Sequence, residues 1–161
     1  NKSAESFGED IYYAEGVCLN KKGIIQAKMI KENIIESGIP IGFVISSPSC
    51  RARQTANISF GGYDKLDEIF IHGNVFNEVK TEWQSSLKNA FLKIPLDNGK
   101  NTLISSHNNV LSKNIFKNSS NIKNLKLKQG GFLVISRDKN GLKVEHQFKK
   151  FENFSKVFSY R

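Results

Sequence analysis

An α/β fold is what this sequence predicts: a three-layer α/β/α sandwich with a mixed, mostly parallel sheet and an antiparallel C-terminal hairpin. Three observations lead there. Short apolar runs of strand length alternate with longer stretches whose apolar residues recur every three or four positions, in the order β-α-β-α-β-α. The last two runs are separated by Asp138-Lys139-Asn140-Gly141, a tight antiparallel turn of the kind Asn-Gly marks. The chain of 161 residues is long enough for a single substantial core, and no repeat or long linker interrupts it. One domain over residues 1–161 is therefore expected.

Residues 1–18 show no clean period and read as a loop ahead of the first helix. Gly23 to Ser37 forms an amphipathic helix, with Ala27, Ile30 and Ile34 on one stripe and Gly38 and Pro40 ending it. Phe43 to Ser46 is a strand, and a helix runs from about Ser49 to Phe60, stopped by Gly61-Gly62. Lys65 to Ile71 reads as a short extended segment through Leu66, Ile69 and Ile71. Phe76 to Leu92 carries the clearest helical stripe: Phe76, Val79, Trp83, Leu87 and Ala90 or Phe91. That stripe belongs to a core rather than to a cofactor box. Thr102 to Ser106 is a strand of mixed polarity, and Asn108 to Phe116 is expected to be helical. Phe132 to Ile135 is a buried strand. Its return strand alternates Leu142, Val144, His146 and Phe148, which puts His146 in the inward register. Phe151, Phe154, Val157 and Phe158 then pack the C-terminus.

With 39% hydrophobic and 24% charged residues, the composition is that of an ordinary globular protein. No apolar run approaches the roughly 20 residues of a membrane span. No signal peptide or lipidation motif is visible, and the compartment stays open between cytoplasm and periplasm or exterior. The net charge of +9 comes almost wholly from lysine, with four arginines in the chain. Nucleic-acid surfaces lean on arginine and aromatic residues, and no nucleic-acid motif is present, so nucleic acid is not an expected partner. A positive field would instead help draw in a phosphorylated substrate. Cys18 and Cys50 permit one disulfide or two separate thiols; spacings for structural zinc are absent, and neither metal nor cofactor is expected.

The chemistry gathers in Val44–Ala56. The strand breaks at Ser46-Ser47-Pro48 and resumes as a helix carrying Arg51 and Arg53. Ser47 is placed to cap that helix with Pro48 as its first residue. A strand feeding a helix start is a natural anion site, because unpaired N–H groups and the positive end of the helix dipole converge there. Arg51 adds a permanently charged planar fork that matches phosphate oxygens. The plain alternative is an ordinary strand–loop–helix junction with surface arginines.

Ser46-Ser47-Pro48-Ser49-Cys50-Arg51-Ala52-Arg53-Gln54-Thr55-Ala56 resembles the second signature of the histidine phosphatase superfamily, the phosphoglycerate-mutase-like group. Two further stretches are similar in matching order: Leu19 to Ala27, with Gly23 and Gln26-Ala27, and Asn101 to Asn109, a strand ending in His107. The resemblance covers about residues 18–109. It implies a phosphatase acting through a phosphohistidine intermediate without a metal, on a phosphomonoester or a phosphohistidine. A phosphorylated small molecule or phosphoprotein would be the partner, with phosphate, sulfate and vanadate as ligands. It makes Arg51 and His107 the cage around the phosphoryl group, with Asn108 beside them as a further substrate contact. It implies an acidic proton donor between the arginine helix and the late strand; of Glu78, Glu82 and Glu68, Glu78 is chosen because the first turn of the long helix can face the site, although first turns favour acidic residues for dipole reasons alone. It also places Cys18 and Cys50 in loops at one end of the sheet, where they could pair. The family's Arg-His motif, source of the nucleophile, has no match between Asn1 and Cys18. It is expected upstream of Asn1; the alternative is a phospho-ligand-binding domain of the same fold without turnover. His72 and His146 are the poorer histidine candidates.

Overall fold

The structure, a computed structural model, describes residues 18–71, 80–108, 110–122, 124–152 and 154. It is α/β, with helices, a parallel three-stranded sheet and an antiparallel hairpin. The chain divides into two compact units, Asn1–Asn77 with Pro95–His107, and Glu78–Ile94 with Asn108–Arg161.

In the first unit, helix α1 (Lys21–Ser37) begins where Asn20 accepts a hydrogen bond from the Gly23 N–H at 2.9 Å. It ends at Gly38, whose φ of 64° is open to glycine without a Cβ clash. Strand β1 (Ile41–Ser46) buries Val44, Ile45 and Ser46 and is the centre of the parallel sheet β2-β1-β3. Helix α2 (Cys50–Phe60) turns Ala52, Ala56 and Ser59 inward, residues small enough for close approach. The Ser59 hydroxyl donates to the Ala27 carbonyl of α1 at 2.9 Å. Strand β3 (Asn101–Ser105) pairs in parallel with β1, with Ser46 opposite Ser105. The Ser105 hydroxyl reaches the Ala52 carbonyl of α2 at 2.9 Å, tying helix to sheet.

The extended segment expected over Lys65–Ile71 is shorter. Strand β2 is only Lys65–Leu66, and a single 3₁₀ turn over Glu68–Phe70 follows. The Asp67 carboxylate accepts from the Ile69 N–H at 3.2 Å, offering the backbone a turn in place of a ladder. The apolar residues are buried all the same: Phe70 and Ile71 are among the most enclosed in the chain.

In the second unit, helix α3 (Lys80–Lys93) buries Trp83, Leu87 and Phe91 on the expected stripe. Phe76 and Val79 lie outside the described residues. The helix expected over Asn108–Phe116 is absent from its described residues. Ser112 takes the Asn114 N–H and Asn108 takes the Leu127 N–H at 2.8 Å, so polar side chains compete for the backbone donors and leave only a 3₁₀ turn, Lys113–Ile115. Val110, Ile115 and Phe116 are buried nonetheless, which is what their spacing had signalled.

Strands β4 (Phe132–Asp138) and β5 (Gly141–Phe148) form a two-stranded antiparallel sheet of their own, closed by Lys139-Asn140. Gly141 supplies the positive φ, 114°. Asp138 braces the turn: the Lys117 ammonium, then the Asn140 N–H, hold its carboxyl below the ordinary value. Val134 lies opposite His146 but Ile135 lies opposite Val144, so Glu145 is an extra residue in β5. That bulge overturns the inward placement of His146, which is exposed, and Phe132–Ile135 is half-buried to exposed rather than buried. At the open end, Phe132 stacks on Phe148 with centroids 4.7 Å apart, and Phe151 and Phe154 close around them. Val157 and Phe158 lie outside the described residues.

Candidate functional site

β1 delivers Ser46 and Ser47 to its carboxyl end, both fully buried. The Ser47 N–H donates to the Ser105 carbonyl at 2.9 Å, so the register with β3 continues one residue past the strand. Ser47 does not cap a helix that starts at Pro48. Helix α2 starts at Cys50 with Ser49 at its N-cap, and the Ser49 carbonyl accepts from both Ala52 and Arg53 at 3.0 Å. The reason is local: the Ser47 hydroxyl takes the Ser49 N–H at 3.4 Å, folding the chain into a side-chain turn across Pro48 before the helix begins.

That places the Ser47 hydroxyl 3.0 Å from Nε2 of His107, two residues beyond the end of β3. On the other side of the same ring, Nε of Arg51 donates to Nδ1 at 3.3 Å. Arg51 and His107, 56 residues apart in sequence, are thus brought together. Arginine has only donors, so the Nδ1 facing it presents a lone pair. The first amides of α2 have no partner within the helix, and its dipole adds positive potential at the same point. Desolvation by the surrounding protein pulls the Arg51 guanidinium below the ordinary arginine value.

The other residues around the junction hold it in shape. Nε of Arg53 donates to the Pro48 carbonyl at 2.9 Å, locking the turn from the helix side. The Thr55 hydroxyl returns to the Arg51 carbonyl at 2.8 Å, and Ala56 is fully buried against the sheet side of the unit. Ser105 and Ser106 commit their hydroxyl protons to the carbonyls of Ala52 and Phe70, so neither is a free donor to a ligand. Cys18 and Cys50 form a disulfide, and the Leu19 N–H donates to Oε1 of Gln54 at 2.7 Å. The first residue of α2 is thereby fastened to the chain just ahead of α1.

Asn108 belongs to the second unit, where it is exposed and its carboxamide oxygen is occupied by Leu127. Glu78 and His72 lie outside the described residues. His146 belongs to the second unit's hairpin. Two residues gain importance over the sequence reading. Ser47 contacts the imidazole directly, and Ser49, 3% exposed, has a hydroxyl with no hydrogen-bond partner among the described residues. The three serines around Pro48, Ser46, Ser47 and Ser49, were the available signal. Comparison of the chain with protein-family models and with curated proteins found no match.

Proposed function

We propose that the junction of β1, α2 and β3 binds the phosphoryl group of a phosphomonoester, and that the protein is a phosphatase working through a phosphohistidine. The observation that carries this reading is the Arg51–His107 pair at 3.3 Å beside the start of α2. A guanidinium and an imidazole lie together in the first turn's neighbourhood of α2, and a guanidinium and a helix start both favour a phosphate dianion. In the reaction, a nucleophilic imidazole attacks phosphorus and the bond to the leaving oxygen breaks. That oxygen takes a proton from an acid, for which Glu78 is the candidate. Water then attacks the phosphohistidine, releasing phosphate and restoring the imidazole. Arg51 and His107 hold the equatorial oxygens and are most effective as charge spreads over them in the transition state. A second reading keeps the site without turnover: residues 1–161 contain no Arg-His pair, and binding needs only the groups just described.

Calorimetry with phosphate and vanadate tests the site. Arg51→Ala should weaken phosphate about tenfold to a hundredfold, the worth of a charged hydrogen bond. His107→Asn should weaken phosphate as well, because it removes the ring that lies between Arg51 and Ser47. Unchanged binding in both variants would remove the proposal. Transient acid-labile labelling of the protein by a phosphomonoester separates turnover from binding alone.

A further inference from the structure

The positive charge of this chain is confined to one unit. The unit of Glu78–Ile94 and Asn108–Arg161 holds 15 lysines and arginines against 5 acidic residues, a net of +10. The other unit holds 9 against 10, a net of −1, which together give the chain's +9. Within the basic unit the charge is gathered further. Over Leu125-Lys126-Leu127-Lys128 the leucines are half-buried and the lysines exposed, so the alternation of an extended segment presents Lys126 and Lys128 on one side. The Lys128 N–H donates to the Lys149 carbonyl at 2.8 Å, which lays this segment against Lys149 and Lys150 at the open end of the β4–β5 hairpin. All four side chains belong to exposed residues, and none has a carboxylate partner among the described residues. The unit's two described ion pairs, Lys117–Asp138 and Lys143–Glu145, leave this cluster uncompensated.

We propose that Lys126, Lys128, Lys149 and Lys150 form a docking surface for an anionic lipid bilayer. The composition of the surface selects the partner. Reading or clamping nucleic acid calls for arginine forks and exposed aromatic platforms. Here Arg137 is spent on main-chain carbonyls at 3.2, 2.6 and 2.9 Å, and the rings of Phe132, Phe148, Phe151 and Phe154 are packed on one another. What remains is a cluster of mobile, strongly hydrated ammonium groups. That matches a surface of laterally mobile anionic headgroups, which attracts lysines through its potential rather than through a fixed geometry. No described helix is long and apolar enough to cross a membrane, so the association is peripheral and electrostatic.

The test is co-sedimentation of the full chain with phosphatidylcholine vesicles, with and without phosphatidylserine. The protein should pellet only with the anionic vesicles at low salt, and should be released when salt shortens the screening length to about 3 Å. Replacing the four lysines together (Lys126→Gln, Lys128→Gln, Lys149→Gln, Lys150→Gln) should weaken anionic-vesicle binding by about a hundredfold or more. The same variant should keep parental phosphate affinity at Arg51, because none of the exchanged residues is among the partners of Arg51 or His107 described above. No pelleting of the parent, or equal pelleting of parent and variant, overturns the proposal. Tighter binding of a single-stranded RNA homopolymer than of anionic vesicles at the same salt overturns the lipid assignment in favour of a nucleic acid.

Discussion

Reducing the Cys18–Cys50 disulfide should lower the stability of the protein by about 3–4 kcal/mol, the chain-entropy value for a loop of this size. The bond joins residues 32 apart and closes a loop that contains α1 and β1. Opening it gives the unfolded chain freedom that the folded state does not share. The folded state changes too, because Cys50 is the first residue of α2 and Arg51 the second. The Leu19 N–H on Gln54 also ties α2 to the segment before α1 and outlasts the bond. Phosphate affinity should therefore fall with the bond, through looser placement of the guanidinium against His107. Denaturant midpoints with and without a dithiol, free thiols being counted in each sample, measure the first effect; calorimetry measures the second. Cys18→Ala with Cys50→Ala should reproduce the reduced midpoint and should no longer respond to reductant. A midpoint that stays put while both thiols become free shows that the bond carries no stability.

Arg137→Ala should cost about 1.5–3 kcal/mol, the range for hydrogen bonds from a charged donor to half-buried acceptors. The last carbonyls of an α-helix have no partner within it and carry its negative end. Nη1 of Arg137 reaches the carbonyls of Phe91, Leu92 and Ile94, so one cation on β4 satisfies the end of α3. Arg137→Lys keeps the charge but loses the planar fork, and should recover part of the loss. Trp83, the chain's single tryptophan, is buried on α3 and reports unfolding of that helix by fluorescence. An Arg137→Ala midpoint equal to the parent's means that water satisfies those carbonyls equally well.

The legible parts of this chain were those written in local pattern. The stripe around Ala27, the Gly38 stop and the Trp83-Leu87-Phe91 row each depend on neighbours within two helical turns. The junction after β1 was legible as well, since a Ser-Pro turn between an apolar run and a helix constrains its own backbone. Misreadings arose where a polar side chain outbid the ladder or the helix for backbone donors, as at Asp67 and Ser112. The outward turn of His146 needed one extra residue at Glu145, and nothing in the alternation of β5 announces it. Arg137 had no local signal: its contacts span 43 to 46 residues. Pairing of the cysteines was equally distant, so composition alone left it open. At the candidate site, sequence singled out Arg51 and His107 but not the contact of Ser47 with the imidazole or the burial of Ser49, because hydroxyl residues in a turn usually serve the backbone.

Strand β3 carries no charged residue, and its Leu103 and Ile104 are half-covered. Such a stretch, set free whenever the fold opens, can pair with the same stretch of another copy. The practical consequence is colloidal: storage life should depend on how often this one strand is released more than on the melting temperature of the whole. A lysine introduced at the exposed Asn101 should lengthen that life without touching Arg51 or His107.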